Sequence, residues 1–230
     1  MNNYLLNIYK KFRFIFLLLP LFSCGQNNSD FSNSISFNKT KELKGDDFSN
    51  KKNYDTATFA AGCFWCVESQ FQQLDGVVKV ISGFTGGSLA NPDYEEVCTG
   101  TTGHAEACNI IYDPKKISFD ELLAAFFVAH DPTQLNRQGN DVGTQYRSEI
   151  FYRNMEQKKK AEYYIKKLND EKVYPTKIVT AVSPIKEFYI AENYHQNYYN
   201  NNKNQPYCKY VIQPKLEKFK KVFKDKIKQN

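Results

Sequence analysis

Thr56-Ala57-Thr58-Phe59-Ala60-Ala61-Gly62-Cys63-Phe64-Trp65-Cys66-Val67-Glu68 reads as a short apolar strand that reaches a glycine and turns straight into a helix. A thiol on the first turn of that helix lies beside unpaired backbone N–H groups and the positive end of the helix dipole. Both favour the thiolate, which is the nucleophilic form of cysteine. Phe64 and Trp65 follow directly and are placed to build an apolar wall beside the sulfur. The stretch predicts a reactive cysteine, Cys63, that attacks something small and soft. A structural cysteine buried in an aromatic core has the same local pattern.

Strand-like and helix-like pieces alternate outward from this stretch. Tyr54–Ala60, Val77–Ser82, Ala105–Tyr112, Ser148–Tyr152 and Lys177–Val182 read as strands. Ser118 with Glu121 forms a capping box ahead of Leu122, Leu123, Phe126 and Phe127, which recur at helical spacing. Asn154 with Gln157 opens a Lys-rich helix that runs to about Leu168. The order predicts an α/β (α+β) fold, a two-layer sandwich of helices against a mixed sheet with a ferredoxin-like core. Long site loops and an irregular C-terminal segment complete it. Two segments, Gly83–Gly103 and Asp131–Gln145, have no clear periodicity and hold Tyr94 and several carboxylates suited to lining a pocket. The lysines from Lys215 to Lys228 read as the solvated face of a helix.

The chain has 230 residues and a formal net charge of +6. Lys10, Lys11 and Arg13 precede an apolar run, Phe14 to Phe22, of nine residues. That is too short to span a bilayer, which takes about 20. The run ends in Leu21-Phe22-Ser23-Cys24, which resembles a bacterial lipobox. The resemblance implies a signal peptide over 1–23 and lipid modification of Cys24. Residues 24–53, rich in Asn, Ser, Asp and Lys, read as a tether that cannot bury much apolar surface. Residues 54–230 form the folded domain. The expected location is the bacterial cell envelope, lipid-anchored and extracytoplasmic, on the periplasmic side. With the three leader charges removed, the balance is mildly positive and gives no ground for a nucleic-acid partner.

Several further motifs follow in series. They are Asn91-Pro92-Asp93-Tyr94, Thr102-Gly103-His104-Ala105-Glu106, His130-Asp131-Pro132-Thr133, Gln138-Gly139-Asn140-Asp141-Val142-Gly143-Thr144-Gln145-Tyr146-Arg147-Ser148, and Tyr194-His195-Gln196 with Tyr198-Tyr199. Together with Gly62-Cys63-Phe64-Trp65 they resemble peptide methionine sulfoxide reductase of the A type, over about Thr58 to Cys208 and in the right order.

The resemblance implies that Cys63 attacks the sulfur of methionine sulfoxide, free or in oxidised proteins and peptides, releasing methionine and leaving a sulfenic acid. It implies Glu106 as the proton donor, a role that needs a raised carboxyl pKa. Tyr94 and Tyr146 would hydrogen-bond the sulfoxide oxygen, Asp141 would organise the site, and Phe64 and Trp65 would cradle the substrate methyl. Cys208, in Gln205-Pro206-Tyr207-Cys208, is similar to the family's recycling cysteine and lies in a polar stretch read as mobile. Its disulfide with Cys63 would be reduced by thioredoxin or another dithiol, with no bound cofactor. The implied specificity is for the S epimer, and a monomer is the simple expectation.

The chain departs from the commonest family pattern at Cys66, which makes Cys63-Phe64-Trp65-Cys66 a C-x-x-C at a helix start. Cys66 could resolve Cys63, pass a disulfide on to Cys208, or face the core passively. The same feature supports an alternative, a thioredoxin-like disulfide oxidoreductase working through Cys63 and Cys66 alone. A non-catalytic envelope lipoprotein with an aromatic binding surface is a third reading. His104, His130 and His195 fit no paired zinc spacing, so no metal is expected; they read as hydrogen-bonding residues, with Cys98 and Cys108 as buried packing.

Overall fold

The computed structural model describes residues 54–229, so the signal peptide, the tether and Cys24 lie outside the described residues. Strand β1 (Asp55–Ala61) alternates between two layers. Ala57, Phe59 and Ala61 enter the main core, while Ala60 joins Ala105, Ala107 and Phe151 on the opposite face. Helix α1 (Phe64–Phe71) follows at once, then β2 (Val77–Thr85), β3 (Ala105–Tyr112) and α3 (Phe119–Ala129), with a short α2 (Tyr94–Cys98) between β2 and β3. A small hairpin, β4 (Arg137–Gln138) and β5 (Asp141–Val142), precedes β6 (Ser148–Tyr152), α4 (Met155–Asp170), β7 (Ala181–Pro184) and β8 (Phe188–Ile190). The chain ends with α5 (Tyr198–Asn201), a π-helical turn over Cys208–Ile212 and α6 (Gln213–Val222).

The sheet order is β7-β6-β1-β3-β2-β8. Its four central strands, β6-β1-β3-β2, are antiparallel, with α1 joining β1 to β2 and α3 lying between β3 and β6. That is the β-α-β-β-α-β ferredoxin-like arrangement expected from the element order. Parallel pairing of β7 with β6 makes the sheet mixed. The core sits between sheet and helices, where the Phe59 ring lies 5.9 Å from Phe71, 6.0 Å from Phe119 and 5.0 Å from Phe126.

The local signals act as read. Both halves of the Ser118–Glu121 capping box are present, and the Asn154 side chain accepts from Gln157 N–H at 2.9 Å. Four expectations change. The strand read over 177–182 begins only at Ala181, because its first residues bond elsewhere: Ile178 N–H donates to the Asn169 side chain at 2.9 Å and Val179 N–H to Pro132 O at 2.8 Å. It is also not the last strand, since β8 pairs with Gly83–Thr85 of β2. The segment from Gly83 to Gly103 is partly regular, carrying the end of β2 and α2, whose N-terminus has its own capping box between Asp93 and Glu96. Cys208 is fully buried, and the C-terminal segment beyond it, read as irregular, is helical, packing Leu216, Phe219 and Val222 inward. Among the described residues no helix is long and apolar enough to cross a membrane.

Candidate active site

The turn between β1 and α1 fixes Cys63. Gly62 sits at φ +84°, a conformation that L side chains avoid, and a Cβ there would fall 2.6 Å from Gln138 Cβ. Cys63 is the N-cap of α1 and is 7% exposed. The expected depression of its pKa does not occur. Burial pushes the Cys63 thiol well up, and its contact with Cys66 adds to this; the Tyr207 hydroxyl against the sulfur acts the other way. The helix N-terminus is outweighed because the thiolate would have to shed nearly all its water.

Glu106, the second residue of β3, is 2% exposed and accepts Phe64 N–H at 2.9 Å. Burial, then the nearby Cys63, raise its pKa well above the carboxylate range despite that hydrogen bond, which favours the protonated acid. Tyr94 opens α2 and Tyr146 closes the helical turn Thr144–Tyr146. Burial raises both phenols, so each keeps its proton and serves as a donor. Asp141, on β5, accepts the Tyr207 hydroxyl at 2.7 Å.

The apolar wall is built from rings. Phe64 stacks near Tyr94 at 6.4 Å, and Trp65 stacks on Tyr198 at 3.7 Å with planes 7° apart. Trp65 Nε1–H donates to His195 Nδ1 at 3.1 Å, and His195 Nε2 faces Glu192 Oε2 at 3.7 Å. Burial lowers the His195 pKa, which suits a neutral acceptor. Glu192 also accepts Tyr94 N–H at 2.9 Å, which ties the start of α2 to the segment carrying His195.

The structure therefore brings together Cys63, Phe64, Trp65, Cys66, Tyr94, Glu106, Asp141, Tyr146 and Cys208. Cys63, Cys66 and Cys208 share one buried cluster with Ile212, packed on by Trp65, Tyr146 and Tyr207. Cys98 does not fit the expectation of a buried packing residue, for it is exposed at the end of α2.

A sequence profile described as peptide methionine sulfoxide reductase matches residues 55–227. The chain belongs to the peptide methionine sulfoxide reductase family. It is thus an oxidoreductase that reduces methionine sulfoxide at the expense of thiols. Among its relatives, "Peptide methionine sulfoxide reductase MsrA" of Nautilia profundicola is 55% identical over 166 residues, 72% of this chain and 94% of that protein. The protein of the same name from Deinococcus radiodurans is 52% identical over 174 residues, 76% of this chain and 84% of the relative. The reduced form of Mxr1 from Saccharomyces cerevisiae superimposes with a TM-score of 0.65 at 35% identity, covering 70% of this chain and 92% of that one. Methionine sulfoxide reductase A of Corynebacterium diphtheriae gives 0.62 at 38% identity, covering 70% and 80%. The readings as a thioredoxin-like oxidoreductase and as a non-catalytic lipoprotein give way to this assignment.

Several residues of the reductase site escaped the sequence reading. Tyr207 stood beside Cys208 in a quoted motif, and only the fold shows that its hydroxyl donates to Asp141 while lying near the Cys63 sulfur. Glu68 stood at the end of the opening stretch; it is buried and accepts Asn197 N–H and Tyr198 N–H at 2.8 and 3.3 Å. Lys215, read as part of a solvated face, points its ammonium at Cys66 Sγ, 4.0 Å away. The other histidines are hydrogen-bonded: His104 to Gly87 N–H and Leu89 O, His130 to Phe126 O and the Ser148 hydroxyl. Among the described residues no group of three or more His, Cys, Asp or Glu is placed to hold a metal ion.

Proposed function

We propose that the reductase acts on the S epimer of methionine sulfoxide, free and in proteins, with Cys63 as nucleophile and Glu106 as proton donor. The observation that carries this reading is the buried, protonation-prone Glu106 carboxyl pinned by Phe64 N–H beside the Cys63 thiol. Cys63 sulfur bonds to the sulfoxide sulfur, the oxygen takes the Glu106 proton, and Tyr94 and Tyr146 hydroxyls stabilise the charge that develops on it. The substrate S–O bond and the transient S–S bond then break as the oxygen passes to the Cys63 sulfur, so methionine leaves and Cys63 becomes a sulfenic acid. Phe64 and Trp65 hold the substrate methyl, and Asp141 orients Tyr207 toward the sulfur. Cys66 and Cys208 convert the sulfenic acid to a disulfide, which thioredoxin or another external dithiol reduces.

The test is reduction of each epimer of a blocked methionine sulfoxide with dithiothreitol. The S epimer alone should turn over, with no activity in Cys63→Ser and a loss of roughly 10²- to 10⁴-fold in Glu106→Gln. Full activity in Cys63→Ser would refute the assignment.

The enzyme is further proposed to be a monomeric lipoprotein of the bacterial cell envelope. The Phe14–Phe22 run and Cys24 support a leader over 1–23, lipid on Cys24, and a tether over 24–53 that holds the domain on the periplasmic side. There it would repair proteins that oxidants reach directly. Incorporation of a labelled fatty acid into the wild type and its loss in Cys24→Ser is the expected result; equal labelling of both would overturn the anchor.

A further inference from the structure

Cys63 and Cys66 stand three residues apart at the start of α1, so their side chains share a helix face. Cys66 is 4% exposed, and a buried thiol left to itself is pushed toward the neutral form. It is not left to itself. Lys215 Nζ, carried by α6, comes to 4.0 Å from Cys66 Sγ. The lysine is half-buried and also lines a cavity of about 510 Å³ with Gln138, His130 and Asp131. At that separation its charge acts directly on the sulfur. The other groups facing Cys66 are Cys63, which donates to it, the Tyr207 hydroxyl, which favours the thiolate, and Asp141, which opposes it. The balance lowers the Cys66 pKa, with the Cys63 hydrogen bond as the largest cause and Lys215 the main charge in favour. Cys208, in contrast, is pushed up by burial and then by Cys63.

We propose that Lys215 is a positioning residue that holds the Cys66 sulfur for attack, and that Cys66 rather than Cys208 is the thiol that first captures the oxidised Cys63. This rests on the reading of Cys63 as the nucleophile that becomes a sulfenic acid. In the step, the Cys66 thiolate supplies the electron pair of the new S–S bond and the Cys63 S–O bond breaks. The oxygen leaves as water after taking a proton from solvent. The Cys63 sulfur is reduced and the Cys66 sulfur oxidised, each to the disulfide level. Cys208 then serves the next exchange, attacking Cys66 and freeing Cys63 as a thiol.

Two measurements on the full chain test this. In the reduced protein, alkylation of each cysteine by iodoacetamide is followed against pH by mass spectrometry. In a single turnover, the enzyme receives one equivalent of methionine S-sulfoxide without reductant, is acid-quenched, and its disulfides are mapped with time. Lys215→Met should move the Cys66 alkylation midpoint up by about one pH unit or more, the effect of removing a close opposite charge. It should also slow the first disulfide by roughly tenfold near neutral pH, since only the thiolate attacks. Lys215→Arg should restore both. The wild type should form Cys63–Cys66 before any disulfide to Cys208. An unmoved Cys66 midpoint in Lys215→Met, or Cys63–Cys208 as the first disulfide of the wild type, overturns the proposal. Failure of the underlying reading is distinct: the wild type would then release no methionine in that turnover.

Discussion

Glu68→Gln tests how the catalytic helix grips the segment that completes the site. Glu68 is 2% exposed, and its carboxylate accepts Asn197 N–H at 2.8 Å and Tyr198 N–H at 3.3 Å. Burial raises its pKa from 4.5 to about 7, with the two hydrogen bonds only partly opposing. The folded protein therefore holds this proton more tightly than the unfolded chain. Its contribution to stability is complete below the unfolded value and disappears as pH rises through about 7. At about 1.36 kcal/mol per pH unit, the interval amounts to roughly 3 kcal/mol. Gln cannot ionise, so the variant lacks this loss. The stability of Glu68→Gln relative to wild type should rise by roughly 3 kcal/mol between about pH 4.5 and pH 8. Urea unfolding at half-unit pH steps, with equal slopes for both proteins, measures it. A difference that stays flat across that range would refute the assignment of a raised pKa to this carboxyl. Asn197 is left-handed at φ 55° and presents Tyr198 to Trp65, so the variant's KM for the sulfoxide, compared with its kcat, reports whether the ring stack survives.

Three further outcomes are expected. Gly62→Ala meets both a positive φ and Gln138 Cβ at 2.6 Å, so it should lose at least about 1–2 kcal/mol of stability and lower kcat by displacing Cys63, read by thermal melts and steady-state kinetics. Tyr207→Phe removes the hydroxyl that lowers the Cys63 pKa, so the pH midpoint of Cys63 alkylation should move up. Phe59→Ala opens a hole among Phe71, Phe119 and Phe126 and should cost roughly 3–5 kcal/mol in urea unfolding, while leaving KM unchanged if the protein remains folded under assay.

How much of this was legible depends on how local each cause is. The capping box at Ser118, the N-cap at Asn154 and the alternation of β1 act within a few residues, and the structure follows them closely. Residues 177–180 failed as a strand because their backbone partners, Pro132 and Asn169, are distant in the chain and nothing in the local composition announces them. The site residues were reached through the serial motifs, and the raised Glu106 pKa with them, whereas the electrostatics of Cys63 were not. The rule that a helix N-terminus activates a thiol is local. The desolvation that outweighs it at Cys63 comes with the rings of Trp65, Tyr146, Tyr198 and Tyr207 packed on its cluster, assembled from three segments. Lys215 was misread for the same reason. Helical spacing places it beside a solvated face, and only the docking of α6 against α1 turns it toward Cys66.

The division between the two halves of the site follows from how each is held. Cys63, Glu106 and Asp141 sit on or beside strands, and the sheet that carries Cys63 and Glu106 is tied by β1–β3 and β1–β6 pairing. The segment that supplies Tyr198, Tyr207, Cys208 and Lys215 is tied to that frame chiefly by side chains. The Gln196 amide clasps the Ser82 backbone in both directions at 3.1 and 2.9 Å, and Glu68 receives the Asn197 turn. Attack on the sulfoxide needs the rigid half, where a small displacement of nucleophile or acid is costly. Passing a disulfide outward needs a buried thiol to move toward an external partner, which only a weakly tied segment can do without unfolding the core. Breaking the Gln196 clasp with Gln196→Ala should therefore leave the first release of methionine in place while speeding reduction of the oxidised enzyme by a bulky dithiol. Equal slowing of both steps would show that the clasp serves the chemistry itself.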